Sequence, residues 1–97
     1  MPAYLIASLE VTDPALYGDY SRQVAATVHA HGGRFIVAGG ASRLLEGQTL
    51  APRTVVLEFP DMAHLQAWYD SPEYRPLIEL RRRASRGTLI AVEGVAP

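Results

Sequence analysis

Apolar residues along this chain recur first at every second position, then at every third or fourth, and the switch between these periods happens twice. The segment 3–11, "AYLIASLEV", places Ala3, Leu5, Ala7, Leu9 and Val11 on one parity and Tyr4, Ile6, Ser8 and Glu10 on the other. That alternation predicts a strand with one wholly apolar face and one mixed face. From Asp13 the period lengthens, and Leu16/Tyr17, Tyr20, Val24, Thr27/Val28 and His31 form a helical stripe. Asp13 suits the N-cap, Pro14 the first helical position, and Gly32 the left-handed residue that ends the helix.

"RFIVAGG" (34–40) predicts a second strand, released from the helix by Gly33. "ASRLLEGQTLAP" reads as a loop long for a hairpin, and "RTVVLEFP" (53–60) as a third strand stopped by Pro60. "DMAHLQAWYD" predicts a helix capped by Asp61 that turns Met62, Leu65 and Trp68/Tyr69 inward. "SPEYRPLIELRRRAS" restarts it, with Ser71 as cap, Pro72 in the first helical position and a kink at Pro76. Tyr74, Leu77/Ile78 and Arg81 continue the stripe, and "GTLIAVEGV" (87–95) closes the pattern as a strand.

The order strand–helix–strand–strand–helix–strand predicts an α+β, ferredoxin-like βαββαβ fold in one domain, 1–97, with both helical segments on one face of a four-stranded antiparallel sheet. The uncovered face should then be polar, yet Tyr4, Ile6, Thr54 and Val56 mix there with Ser8, Glu10 and Glu58. A half-apolar open face is expected to be covered by a second copy, which makes a homodimer the expected assembly.

Composition narrows the chemistry. No cysteine is present, so disulfides, thiolate catalysis, zinc ribbons and iron–sulfur ligation are excluded. The net charge of −1 gives no basic face for a phosphate backbone, so nucleic acid is not an expected partner. The apolar run at the N-terminus is short, lacks a basic lead and is interrupted by Ser8 and Glu10, so neither a membrane span nor a signal peptide is expected and a cytoplasmic location is.

The residues "HGGRFIVAGG", "LEG", "VVLEFPD", "AWYDSPEYRPL" and "RRRAS", in that order, resemble the domain of unknown function 1330 family of the dimeric α/β-barrel superfamily. The resemblance covers nearly the whole chain and implies a ferredoxin-like subunit whose sheets pair in a homodimer. The superfamily includes cofactor-free monooxygenases, muconolactone isomerases and haem proteins, so the resemblance implies no single reaction.

His29 and His31 stand about 200° apart on a helix and cannot chelate one ion, so no metal site is expected. The glycine pairs lack the spacing of a phosphate loop, and no other cofactor motif is present. His31 ends the helical stripe, either as a capping side chain or as a general base at a pocket mouth, and is the candidate catalytic residue. Glu46 is expected to be solvated, or else to pair with His31 or Arg34. Trp68 is expected in the core, while Tyr20 and Tyr74, with Tyr17, are candidates to line a cavity for a planar ligand. Arg81 lies on the inward stripe, where its guanidinium suits a carboxylate from Glu46 or from a ligand.

The expected function is binding, with or without cofactor-free transformation, of a small planar or carboxylated molecule through Tyr20, Arg34, Glu46, Trp68, Tyr74 and Arg81. The alternative is a non-catalytic dimer module without a pocket.

Overall fold

The computed structural model describes residues 1–48 and 51–96; Thr49 and Leu50 of the predicted loop, and Pro97, lie outside them. Strands β1 (Ala3–Val11), β2 (Arg34–Ala38), β3 (Arg53–Phe59) and β4 (Ser85–Glu93) form one sheet. Helices α1 (Pro14–Ala30), α2 (Met62–Tyr69) and α3 (Arg75–Ala84) accompany it. The strand order is β2-β3-β1-β4 and every pairing is antiparallel, the ferredoxin-like arrangement the alternating periods predict.

The predicted caps form. Asp13 accepts a hydrogen bond from the Leu16 amide at 3.1 Å, and Asp61 accepts one from the His64 amide at 2.8 Å. Gly32 takes a φ of 78°, and the adjoining Gly33 leaves no room for a Cβ beside Phe59 and Val28.

The expected restart after α2 needs correction. Residues 71–74 form a turn held by Ser71, whose hydroxyl donates to the Trp68 carbonyl and accepts from the Tyr74 amide, and α3 begins at Arg75. Pro76 therefore falls within the first two helical positions, where its missing N–H costs no helical hydrogen bond, and no kink is required. β4 also begins earlier than expected, at Ser85, directly out of α3. β2 stops at Ala38 and carries one extra residue, so that Phe35 pairs with Leu57 but Val37 with Val56.

The core lies between the sheet and the helices. Ala3, Leu5, Ala7 and Leu9 of β1 and Val55, Leu57 and Phe59 of β3 meet Tyr17, Tyr20, Val24 and Val28 of α1. α2 adds Leu65 and Trp68, and α3 adds Leu77. On the opposite face, Val37, Val56, Ile6 and Ile90 are register partners in one row across all four strands. Ile90 is 56% exposed and Val37 39%.

Candidate functional site

Small residues stand where large ones would close the core. Ala7 on β1, Ala25 on α1 and Ala38 on β2 help to leave a cavity of about 260 Å³ between α1 and the sheet. Leu5, Leu9, Val55 and Leu57 make its floor, and Tyr17, Tyr20 and Val24 its roof. Ser21 and Ala38 are its exposed members and mark its opening between α1 and the edge strand, whereas Trp68 and Arg81 are buried.

The polar groups in this apolar space form two sets. Nearer the opening, Arg53 stacks over the Tyr17 ring, 5.1 Å from its centroid, and its Nε donates to the Tyr17 hydroxyl at 3.1 Å. At the buried end, Nη1 of Arg81 donates to the Tyr74 hydroxyl at 2.7 Å, and the Tyr74 and Tyr20 hydroxyls are 2.8 Å apart. Burial pushes both phenols up from the ordinary range, Tyr20 the further of the two, so both are neutral at physiological pH. Arg81 is only 7% exposed, and among the described residues no carboxylate lies within ion-pair distance of it. It also lines a second, more polar depression with Ser85, Arg82 and Arg86, so it stands between the two spaces.

Trp68 is fully buried, lies 4.1 Å from Tyr74 between ring centroids, and donates from Nε1 to the Thr27 hydroxyl at 3.0 Å. Its ring is thus fixed at both edges where it lines the cavity.

Four of the residues read from the sequence therefore come together: Tyr20, Trp68 and Arg81 in the wall, and Tyr74 directly behind Tyr20. The others lie elsewhere. His31 is not among the residues lining the cavity; it caps α1, its Nδ1 3.0 Å from the Thr27 carbonyl oxygen, to which an Nδ1–H donates. Arg34 lies on the open face, where Nε donates to Glu58 at 2.7 Å and Tyr4 donates to the same carboxylate at 3.2 Å. Those contacts hold the Glu58 carboxyl below its ordinary range, chiefly through the Arg34 hydrogen bond. Glu46 is exposed in the segment between β2 and β3 and pairs with neither His31, Arg34 nor Arg81.

Arg53 and Thr27 were missed. The signal for Arg53 was available: it shares the parity of Val55, Leu57 and Phe59, the inward face of its strand. Thr27 sits in the helical stripe, where its hydroxyl marks a polar need inside the core.

No curated protein matches the chain. Among solved structures, RPA0582 of Rhodopseudomonas palustris, a protein of unknown function, superposes with a TM-score of 0.78 at 18% identity, over 99% of this chain and 84% of that one. SnoaB of Streptomyces nogalater, described as a cofactor-independent oxygenase, gives 0.65 at 15% identity, over 99% and 95%. An antibiotic biosynthesis monooxygenase gives 0.58 at 18% identity, over 99% and 100%. At these identities the likeness establishes the shared ferredoxin-like fold. The family follows from sequence: the model for the domain of unknown function 1330 (DUF1330) matches residues 2–95, and the chain belongs to that family.

Proposed function

We propose that the chain binds one small, planar, carboxylated molecule per subunit in the cavity beneath α1, and that two copies cover each other's open sheet faces. The observation that carries the first part is the state of Arg81. A guanidinium taken out of water costs several kcal/mol unless an anion meets it, and the neutral phenols of Tyr74 and Tyr69 meet that need only in part. A ligand carboxylate completes the set. The aromatic and aliphatic walls suit a flat body, and about 260 Å³ lies just below the usual range of drug-sized ligand sites, which favours a molecule of one or two rings. The second part is supported by the row Val37, Val56, Ile6 and Ile90, which no other part of the chain covers among the described residues.

Turnover without a cofactor is the finer form of this reading. The description of SnoaB as a cofactor-independent oxygenase is a precedent on the same fold, and a fold does not carry a reaction with it. A module without a pocket fits poorly with a cavity of this size. The reading does not use His31, which has a partner at the helix end.

Calorimetry with 2-naphthoate and its neutral counterpart 2-naphthamide tests the proposal. The wild-type chain is expected to prefer the anion by about tenfold, the usual worth of a charge-assisted hydrogen bond. Arg81→Met should keep amide binding and lose the preference. Equal affinity of the wild-type chain for the two compounds would overturn the role given to Arg81.

A further inference from the structure

We infer that Tyr20 is the hydrogen-bond donor of this cavity, its hydroxyl hydrogen directed at the ligand by a chain that runs from Arg81 through Tyr74. The ligand then meets it with an acceptor oxygen, as in a carbonyl, a phenolate or a carboxylate. The inference rests on the cavity being a ligand site, and adds which atom of the protein reads the ligand and which polarity it reads.

A phenol has one hydrogen to give and lone pairs to accept with. Arg81 can only donate, so the Tyr74 oxygen accepts from it. Tyr74 is fully buried, and the partners of its hydroxyl are Arg81 and Tyr20. If Tyr20 donated to Tyr74, the Tyr74 oxygen would accept twice and its own hydrogen would have no acceptor in a space closed to water. Such a buried orphan costs about 1–3 kcal/mol. If Tyr74 donates to Tyr20 instead, the hydrogens of Arg81 and Tyr74 along the chain are both used, and the unspent one is on Tyr20. Tyr20, unlike Tyr74, lines the cavity. That arrangement is therefore favoured, and it leaves a donor aimed at whatever occupies the space.

The chain also has a direction of polarisation. It starts on a permanent cation, and each hydroxyl that accepts from a charged or polarised donor becomes a better donor itself. Burial keeps both phenols protonated, so the donor persists across the working pH range. A ligand that offers only N–H or O–H hydrogens to this position would face the hydrogen of Tyr20, and is disfavoured.

The test uses two probes of the same shape, 2-acetylnaphthalene with a ¹³C-labelled carbonyl and 2-isopropenylnaphthalene, which has a methylene in place of the oxygen. Infrared spectra of the bound ketone read hydrogen-bond donation at its oxygen directly. The wild-type chain is expected to bind the ketone about two- to tenfold more tightly than the alkene, the net worth of one neutral hydrogen bond, and to lower its carbonyl frequency. Tyr20→Phe should abolish both the preference and the shift, leaving alkene binding unchanged. Tyr74→Phe keeps the Tyr20 hydroxyl but cuts it from the cation, and should return the band part of the way. Arg81→Met cuts the chain one residue further back and should give a smaller return. A carbonyl band unmoved by Tyr20→Phe, or an equal loss of ketone and alkene, overturns the inference while leaving the cavity a ligand site. Failure of the wild-type chain to bind either probe while it binds 2-naphthoate overturns the inference alone; failure to bind all three overturns the ligand site as well.

Discussion

One face of the sheet lies under the helices and carries Leu5, Leu9, Val55, Leu57 and Phe59; the other carries Ile6, Val56, Ile90 and Val37, and nothing covers it among the described residues. The covered face is apolar through its middle, with Arg53 and Ser85 at its ends, yet incompletely filled, and the space that remains is edged with phenols and two arginines. The open face is apolar chiefly along its middle row, with Val92 of β4 beside Tyr4 in the next. Arg34, Glu58 and Tyr4 flank that row on one side, and Thr54, Ser8 and Thr88 are partners on the other. An incompletely filled core with polar groups turned into it suits a small guest, whereas a narrow apolar row between polar borders suits a flat partner that must also satisfy the borders. The two faces of the same strands are thus specialised for different classes of occupant.

The largest expected effect tests the open face. Ile90→Lys replaces a half-exposed side chain, so folding stability of the isolated subunit should change by no more than about 0.5 kcal/mol. In a two-fold assembly the same side chain is buried twice. Removing it from both subunits should weaken association by on the order of 3 kcal/mol, more than a hundredfold in Kd. Sedimentation equilibrium should give a dimer for the wild-type chain at micromolar concentration and a monomer for the variant. A folded wild-type monomer at that concentration would mean that the row is tolerated bare.

Filling the covered face gives the next effect. Ala7 is buried and lines the cavity, and Ala7→Leu adds three carbons there. In a close-packed core such an addition costs about 1–3 kcal/mol through strain. Here the added carbons should enter empty space, and stability in urea should stay level or rise by about 1 kcal/mol. Binding of 2-naphthoate should fall at the same time. A loss of stability as large as that in a filled core would mean that the void is not available beside Ala7.

Much of this contrast is legible in the sequence because period and parity are local properties. The alternation of 3–11 separates its two faces, and the caps at Asp13 and Asp61 fix where the helices begin. The turn at 71–74 was not legible: a serine followed by proline satisfies the local rule for a helix start, while the hydrogen bonds from Ser71 that decide the matter depend on the preceding helix. The grouping at the site was partly legible. Tyr20, Tyr74 and Arg81 fall on inward stripes, but nothing in their spacing says that residues 54 positions apart bring their hydroxyls within 2.8 Å. Arg34 was misleading for a related reason. It opens a strand next to the helix end, but the parity of a five-residue strand with a bulge cannot be read with certainty, and pairing with Glu58 puts it on the open face.

The smallest effect concerns the polar border of the open face. Glu58 accepts from Arg34 and Tyr4, and its pKa is depressed below the ordinary 4.5 in the folded chain. A depressed carboxylate stabilises the fold above its unfolded pKa, and that contribution is lost as the pH falls through the folded value. Stability of the wild-type chain should therefore decline below about pH 5, and Glu58→Gln, which keeps the shape but not the charge, should flatten that decline. Asp61 is also depressed, by its hydrogen bonds with His64, and adds to the same acid limb, so Asp61→Asn serves as the control. Alone, the border is open to solvent and its contribution is screened. Under a second copy it is not. The difference between the wild-type chain and Glu58→Gln should thus grow with protein concentration across the range where the dimer forms, while the Asp61→Asn difference stays constant. A Glu58 effect independent of concentration would place that border outside the interface and shift the expected contact toward Ile90 and β4.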